Sequence, residues 1–342
     1  MVTKFGLSIL IPTYNRPEIL RNLVQKVVIP VAYKFEFEVE IFIRDNTGIK
    51  NIKNPLNKDL TLPDNVDYLV NEKNLEYHGN IKTLLKLATR KYIWFWGDDD
   101  YYDLKQVLKV IEFVLSKNQK YDGFLPCFSY LSDKSFNSNK VLGKGLNSIN
   151  LNNLFEKNKS PFALLSSCIF INKKVKLNPS ELSNAWLHAI IFLKSFSPSS
   201  KLWISHKPCI FYEAVSGEGS ALEQRGITLN YYVDSALELI KCQENYAGVC
   251  PPTKVAFHKE VILWMVQHKA RLIYWSFTEK DMFNYGIKGL LMFLKSFDFK
   301  LLFFSLILIF LPKRFIRLLY RIRRWSKRKV YKYQRFFSTI SI

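Results

Sequence analysis

Apolar residues in the first third of the chain form short continuous runs, and each run ends in polar residues. We predict four β-strands from these runs, at residues 5–11, 39–43, 66–70 and 91–96. Unbroken apolar runs are typical of parallel strands that are buried on both faces. Between the runs, apolar residues recur at helical spacing, as from Ile19 to Val27. This alternation predicts an α/β domain with a mostly parallel, doubly wound sheet and helices on both faces.

Polar residues follow directly on the predicted strands. They include Thr13, Asp45, Asn74 and Asp99. Ligands of open α/β sheets bind just outside the carboxyl ends of parallel strands. We therefore expect these four residues to lie together at one edge of the sheet and to form a single site.

Three consecutive carboxylates, Asp98, Asp99 and Asp100, follow the last of these strands after Gly97. Adjacent carboxylates repel one another and raise each other's pKa. Their clustering therefore indicates a hard divalent cation, Mg²⁺ or Mn²⁺, that carries phosphate oxygens. The alternative is a solvated acidic turn that caps a helix beginning near Asp103.

Four motifs occur in order over residues 5–125: ILIPTYNR, RDN after the second strand, NLEYHGNI before a helix, and YIWFWGDDD. Their order and spacing resemble the nucleotide-binding half of family 2 glycosyltransferases, which have the Rossmann-like GT-A fold. The chain also has a Gly-Asp-Asp-type loop and a basic helical tail at residues 301–342. In these two features it is similar to bacterial transferases of O-antigen or capsule synthesis, such as abequosyltransferase-like enzymes.

The resemblance implies a nucleotide-sugar donor, and it assigns the first loop to the nucleoside and its phosphates. Thr13, Tyr14 and Arg16 occupy that loop, where Tyr14 offers a stacking face and Arg16 a phosphate partner. Asp45 resembles the family carboxylate that accepts a hydrogen bond from the nucleobase or ribose. A turn-forming role for Asp45, before Asn46, is the alternative.

Two asparagines match the family stretch that precedes the helix leading to the metal-binding strand. They are Asn74 and Asn80, with Glu76 in the place of the usual glycine. The resemblance assigns both to the donor site, and a purely structural role as helix caps is the alternative.

The resemblance also assigns the metal ligand. It places Asp99 at the second carboxylate of the family's DxD motif and Gly97 at the first, so one usual carboxylate is missing. Asp98 or Asp100 would substitute for it, either by bonding the metal through water or by holding sugar hydroxyls.

An inverting transfer needs a base that takes the proton from the acceptor hydroxyl. The family supplies it from a Glu-Asp pair at the start of a helix, and here Leu187 and His188 stand at that position, in a helix predicted over residues 184–195. A neutral imidazole suits the task near pH 7, so His188 is the candidate base. Its rivals are Glu181, Glu213 and Glu218, and a packed or surface histidine is the structural alternative.

The remaining sequence divides into an acceptor part and two appendages. We predict a GT-A catalytic domain over residues 1–220, with nucleotide-sugar binding in 1–125 and acceptor binding in 126–220. Within the acceptor part, we expect a loop or lid at 129–159 and strands at 164–172 and 210–214. The resemblance places a donor-closing loop at 216–220, with Arg225 beyond it. A helical region at 221–300 and a membrane-associating tail at 301–342 complete the chain.

Basic residues are concentrated in the tail. Eleven Lys and Arg residues and no acid lie in residues 313–335, which is about half of the net charge of +21. The apolar run at 301–311 is shorter than the about 20 residues that a transmembrane helix needs. Beyond it, apolar and basic residues alternate as in an interfacial helix on an anionic membrane. The alternatives are a helix packed on its own domain and an arm that binds nucleic acid.

Five widely spread cysteines and the lack of a signal-peptide pattern predict a cytoplasmic protein, peripheral on the inner face of the cell membrane. The sequence thus predicts an inverting, Mn²⁺- or Mg²⁺-dependent glycosyltransferase that acts on a lipid-linked oligosaccharide in bacterial surface polysaccharide synthesis. The alternatives are a sugar nucleotidyltransferase and a non-catalytic membrane- or nucleic-acid-binding protein with a degenerate nucleotide fold.

Overall fold

Two compact units make up the chain, residues 1–216 with 235–249, and residues 217–234 with 250–342. The computed structural model describes residues 4–52, 56, 60–116, 120–130, 148–150, 165–173, 175–184, 186–197, 199–212 and 299–310, with the single positions 283, 287, 290 and 294.

The described part of the first unit contains nine strands and six α-helices. The strands are β1 Lys4–Thr13, β2 Val39–Asp45, β3 Val66–Val70, β4 Arg90–Phe95, β5 Tyr101–Tyr102, β6 Gly123–Tyr130, β7 Ser148–Asn150, β8 Ile169–Ile171 and β9 Lys201–Tyr212. The helices are α1 Pro17–Leu23, α2 Ile29–Lys34, α3 Glu76–Leu87, α4 Leu104–Leu115, α5 Pro179–Leu182 and α6 Leu187–Lys194. A π-helical turn, Val24–Val28, joins α1 to α2, and a 3₁₀ turn, Leu165–Ser167, precedes β8.

One sheet contains all nine strands, in the order β3-β2-β1-β4-β8-β6-β9-β5, with β7 paired to β9. Strands β1 to β4 are parallel, as predicted. The other half of the sheet is mixed: β6 and β9 pair in parallel, whereas β8 runs antiparallel to β4 and β6, and β5 and β7 run antiparallel to β9. At three residues, β8 is too short for its direction to show in any apolar pattern.

The acceptor part differs from the prediction in three details. The strand predicted at 210–214 begins already at Lys201 in β9. The strand predicted at 164–172 shortens to β8, because the 3₁₀ turn takes up its first residues. The predicted loop at 129–159 contains the short strand β7.

Helices cover both faces of the sheet, which explains the unbroken apolar runs. Alternate residues of a strand point to opposite faces. Ile9 and Ile11 of β1 therefore belong to a core shared with α1, α2 and α4, and Leu10 belongs to a core shared with α3 and α6. This double cover holds the carboxyl ends of β1, β2 and β4 in fixed positions.

The second unit is described mainly through one helix, α7 Phe299–Phe310. Its exposed side chains form an apolar stripe at helical spacing, Phe299, Phe303, Leu306 and Phe310. Among the described residues, no helix combines the length and the apolar character that crossing a membrane requires. The basic segment 313–335 lies outside the described residues.

The loop after β4 is fixed by Ser166 of the 3₁₀ turn. The Ser166 hydroxyl accepts a hydrogen bond from the Gly97 backbone N–H at 2.9 Å and donates one to the Asp100 carboxylate. Asp100 folds back so closely that a Cβ on Gly97 would lie 2.7 Å from Asp100 Oδ2. Glycine is therefore required at position 97 because the Asp100 carboxylate fills the space of a side chain there.

The entry into α3 has an unusual backbone. Glu76, its first residue, has φ +58°, a left-handed conformation that glycine adopts without strain. Two hydrogen bonds hold it: the Glu76 N–H donates to Asn74 Oδ1 at 2.8 Å, and the Glu76 carbonyl accepts from Asn46 Nδ2 at 3.1 Å. The position where the family resemblance places a glycine therefore keeps a glycine-like conformation.

Glu76→Gly is expected to stabilise the protein by about 0.5–1 kcal/mol, because relief of the left-handed strain exceeds the entropic cost of a glycine. Urea unfolding beside Glu72→Gly measures the effect, since Glu72 is an exposed residue of the same loop without a positive φ. Equal losses of stability in the two variants would contradict strain at Glu76.

Gly97→Ala is expected to destabilise the protein by about 1–3 kcal/mol, because the new methyl group overlaps the partly buried carboxylate of Asp100. The loss should shrink in an Asp100→Ala background, which removes the overlapping atoms, and persist in an Asp100→Asn background, which keeps them. Chemical denaturation of the single and double variants measures this coupling. Simple additivity in both backgrounds would refute the steric explanation.

Candidate active site

The predicted site residues at the ends of β1, β2 and β4 come together. Thr13 pairs with Asp45 in the β1–β2 register. The Thr13 hydroxyl also donates to Asp98 Oδ2 at 2.6 Å, across the sheet edge. The loop after β1 is thereby tied directly to the acidic loop after β4.

Arg16 places a cation between two of the three carboxylates. Its Nη1 lies 3.0 Å from Asp98 Oδ1 and 2.6 Å from Asp99 Oδ2. Burial acts to lower the pKa of Arg16, but Asp98 and Asp99 outweigh it, and the net pKa is raised. The guanidinium therefore neutralises charge that the acidic loop would otherwise hold unpaired.

The three aspartates differ in exposure and partners. Asp98 is buried, with Thr13 and Arg16 on its two oxygens, whereas the Asp99 side chain is 54% exposed. Burial raises the pKa of Asp100 to about 7, with a further contribution from Asp99 and Asp98 and an opposing one from the Ser166 hydrogen bond. Asp99 thus presents the most exposed of the three carboxylates.

Asp45 is held inside the β2 edge by its neighbours. Its Oδ1 accepts hydrogen bonds from the Thr47 N–H at 2.9 Å and the Thr47 hydroxyl at 2.5 Å, and Oδ2 accepts from the Tyr68 hydroxyl at 3.2 Å. Burial raises the pKa of the Tyr68 hydroxyl, and the negative charge of Asp45 raises it further. Thr47 Oγ1 also accepts from the Asn15 N–H at 2.8 Å, which links Asp45 to the first loop.

Tyr14, in the same loop, is 40% exposed, so its ring face is accessible to a ligand at this edge.

A network of side-chain amides connects the ends of β2 and β3 to α3. Asn46 is its centre: it donates to Asn74 Oδ1 at 2.7 Å and accepts from Asn71 Nδ2 at 3.0 Å. Asn71 donates also to Asn80 Oδ1, and Asn80 donates to the Arg44 carbonyl at 3.0 Å. Asn74 and Asn80 are thus structural members of the site edge.

Sequence reasoning did not assign Asn46 and Asn71 to the site. The available signal was an asparagine within the first residues after each of two neighbouring strands. Ser166 gave no comparable signal, because nothing in the sequence indicates its proximity to Gly97.

His188 is buried in the first turn of α6, with 8% of its surface exposed. Its Nδ1 lies 2.8 Å from the hydroxyl of Tyr77, which belongs to the first turn of α3. Of the rival bases, Glu181 completes the capping box of α5 with Asn178 and pairs with Lys194 Nζ at 2.5 Å. Glu213, Glu218, Arg225 and the loop 216–220 lie outside the described residues.

Several solved structures are similar to this chain at low identity. One is S. aureus TarS, with 15% identity over 82% of this chain and 45% of that chain and a TM-score of 0.47. Another is S. aureus TarS 1-349 in complex with UDP-GlcNAc, with 12% identity over 77% of this chain and 72% of that chain and a TM-score of 0.48. A third is the mannosyltransferase PcManGT from Pyrobaculum calidifontis in complex with GDP-Man and Mn²⁺. It has 11% identity over 74% of this chain and 67% of that chain, and a TM-score of 0.44.

The chain spans less than half of the first of these proteins, and at TM-scores below 0.5 none of the likenesses carries weight for function. No curated protein matches the chain. The family model described as "Glycosyl transferase family 2" matches residues 8–175, which include β1 to β4 and the acidic loop. Residues 8–175 are therefore similar to a glycosyl transferase family 2 domain, and this match supports an enzyme of glycosyl transfer.

Proposed function

We propose that this enzyme is an inverting, metal-dependent glycosyltransferase that moves a sugar from a nucleotide-sugar donor to a lipid-linked oligosaccharide. The observation that carries the proposal is the Arg16 guanidinium between Asp98 and Asp99, at the carboxyl ends of β1 and β4. This position lies where α/β sheets bind their ligands, and it already holds a positive charge between hard oxygen atoms.

A divalent cation fits the same position. Asp99 supplies an exposed carboxylate, and its ion pair with the Arg16 guanidinium supports a cation position beside it. No group of three or more His, Cys, Asp or Glu side chains converges in the described part of the chain, so two carboxylates at most would hold the metal. Mg²⁺ and Mn²⁺ sites of this kind are completed by water and by substrate phosphates. When bound, such an ion acts as a Lewis acid that stabilises charge on the departing phosphate.

The first loop supplies the other donor contacts. A metal ion held by Asp99 would take the place of Arg16 on that carboxylate, and the freed N–H donors of the guanidinium would be suited to the pyrophosphate. The exposed ring of Tyr14 stacks on the nucleobase. Asp45, Asn74 and Asn80 keep the β2 and β3 ends in the shape that receives the nucleoside.

The acceptor side supplies the base. We assign to His188 the removal of the acceptor hydroxyl proton as the oxygen attacks the anomeric carbon. The bond to the phosphate oxygen breaks on the opposite face, its electron pair leaves with the nucleoside diphosphate, and the configuration inverts. Residues 1–125 form the donor half and 126–220 the acceptor half of the catalytic domain.

The second unit brings the enzyme to its acceptor. The exposed apolar stripe of α7 and the basic residues of 313–335 are suited to an anionic lipid surface. We place the enzyme on the inner face of the bacterial cell membrane, in the synthesis of a surface polysaccharide such as O-antigen, capsule or lipopolysaccharide. This assignment follows the abequosyltransferase-like character of the sequence.

Thermal unfolding with UDP-, GDP-, CDP- and dTDP-linked hexoses, each with and without Mn²⁺, tests the donor site. A donor that binds should stabilise the fold in a metal-dependent way, by about 2.7 kcal/mol at a hundredfold excess over its Kd. Asp99→Asn should weaken the Mn²⁺-dependent part of the donor affinity by roughly tenfold or more. Asp64→Asn, at an exposed residue in the loop between β2 and β3, is the matched control. No stabilisation by any donor, or an unchanged metal effect in Asp99→Asn, would refute the assignment.

Deletion of residues 313–342 is expected to release the protein from vesicles that contain phosphatidylglycerol, because each basic residue near such a surface contributes about 1 kcal/mol of attraction. A full-length variant with the eleven basic residues of 313–335 changed to Gln separates charge from chain length. Co-sedimentation with anionic and neutral vesicles measures both variants. Undiminished sedimentation of the truncated chain would show that the tail is not the anchor.

A further inference from the structure

The hydrogen bond between Tyr77 and His188 joins the two halves of the candidate site. Tyr77 is the second residue of α3, which follows the donor-side strand β3, and His188 is the second residue of α6, which belongs to the acceptor half. Tyr77 Oη and His188 Nδ1 are 2.8 Å apart, and the two rings meet edge to face at 6.3 Å between centroids. The contact spans 111 residues of sequence.

The direction of this bond decides what His188 can do. A tyrosine hydroxyl both donates and accepts, and a neutral imidazole has one N–H and one acceptor nitrogen. If Nδ1 carries the hydrogen, it donates to Tyr77, and Nε2 has the lone pair that can accept a proton. If Tyr77 donates to Nδ1, Nε2 carries the hydrogen and cannot act as a base.

The position of Tyr77 is itself fixed by the donor side. The preceding residue, Glu76, is held in its left-handed conformation by Asn46 and Asn74, which belong to the amide network at the ends of β2 and β3. The tyrosine hydroxyl is therefore placed by the edge of the sheet that carries the donor contacts, and the His188 ring is oriented against that edge.

We infer that Tyr77 is a positioning residue, which accepts the Nδ1–H hydrogen bond of His188 and thereby keeps Nε2 available for the acceptor proton. The inference rests on the proposed function, since it concerns the base of the same transfer. In the reaction, the acceptor O–H proton passes to Nε2, the oxygen forms the bond to the anomeric carbon, and Tyr77 remains a neutral hydroxyl throughout. In functional histidines, the hydrogen bond that one ring nitrogen makes generally determines whether the other nitrogen carries a proton.

The tautomer can be read directly in the free protein. Long-range ¹H–¹⁵N spectra of protein labelled with ¹⁵N-histidine distinguish Nδ1–H from Nε2–H, and His188→Gln assigns the signal among the five histidines. We expect Nδ1–H in the unaltered chain and a shift towards Nε2–H in Tyr77→Phe, which removes only the hydroxyl. Tyr33→Phe, at an exposed residue of α2, is the control and should leave the spectrum unchanged.

Turnover adds a second readout. Release of nucleoside diphosphate from the donor that the thermal screen identifies should fall roughly tenfold in kcat in Tyr77→Phe, as for the loss of one orienting hydrogen bond. KM for the donor and the Mn²⁺-dependent stabilisation should stay unchanged, which a general loss of structure would not allow.

Two failures are distinguishable. An Nε2–H signal in the unaltered chain, or no change of tautomer in Tyr77→Phe, overturns the positioning role while donor binding and transfer stand. Unchanged turnover in His188→Gln removes the base itself, and the role of Tyr77 with it, while the metal and donor assignment still stands on the Asp99 experiment.

Discussion

The pairing of Arg16 with Asp98 and Asp99 is the interaction on which the arrangement of the site depends. Three successive carboxylates at the end of a buried strand would repel one another, and removing the partner of a buried ion typically costs about 3–5 kcal/mol. Arg16 and Thr13 both come from the end of β1, so their contacts to Asp98 fix the acidic loop relative to the first loop. A site built between two loops needs such a bond, because neither loop belongs to the regular sheet.

The three aspartates have different structural roles because they differ in burial. Asp98 is used to join the loops, and Asp100 is used to hold Ser166 and to fill the space beside Gly97. Asp99 is left with the most exposed carboxylate. Asp100 points inward and occupies the space that a side chain at position 97 would take. This accounts for a third aspartate that would otherwise only add repulsion.

The sequence was sufficient for the parts of the site that depend on strand order. Polar residues after continuous apolar runs placed Thr13, Asp45 and the acidic loop at one sheet edge, because parallel strands end on the same side. It was insufficient where contacts depend on distant or very short segments. Ser166 approaches Gly97 from 69 positions away, and the three residues of β8 run antiparallel to the strands on both sides. The inward turn of Asp100 also had no signal, since an aspartate in a triplet looks the same whether it is buried or exposed.

The inverting transfer that we propose requires that the base and the leaving group be held on opposite sides of one sugar, which single loops cannot do independently. Here α3 is the shared element. The amide network fixes its start, Asn80 ties it to the end of β2, and Tyr77 reaches His188 on α6. A displacement of the β2 and β3 ends would therefore move the nucleoside contacts and the imidazole together. In the mechanism that we propose, the base and the donor contacts are therefore positioned through the same helix, which packs against the sheet.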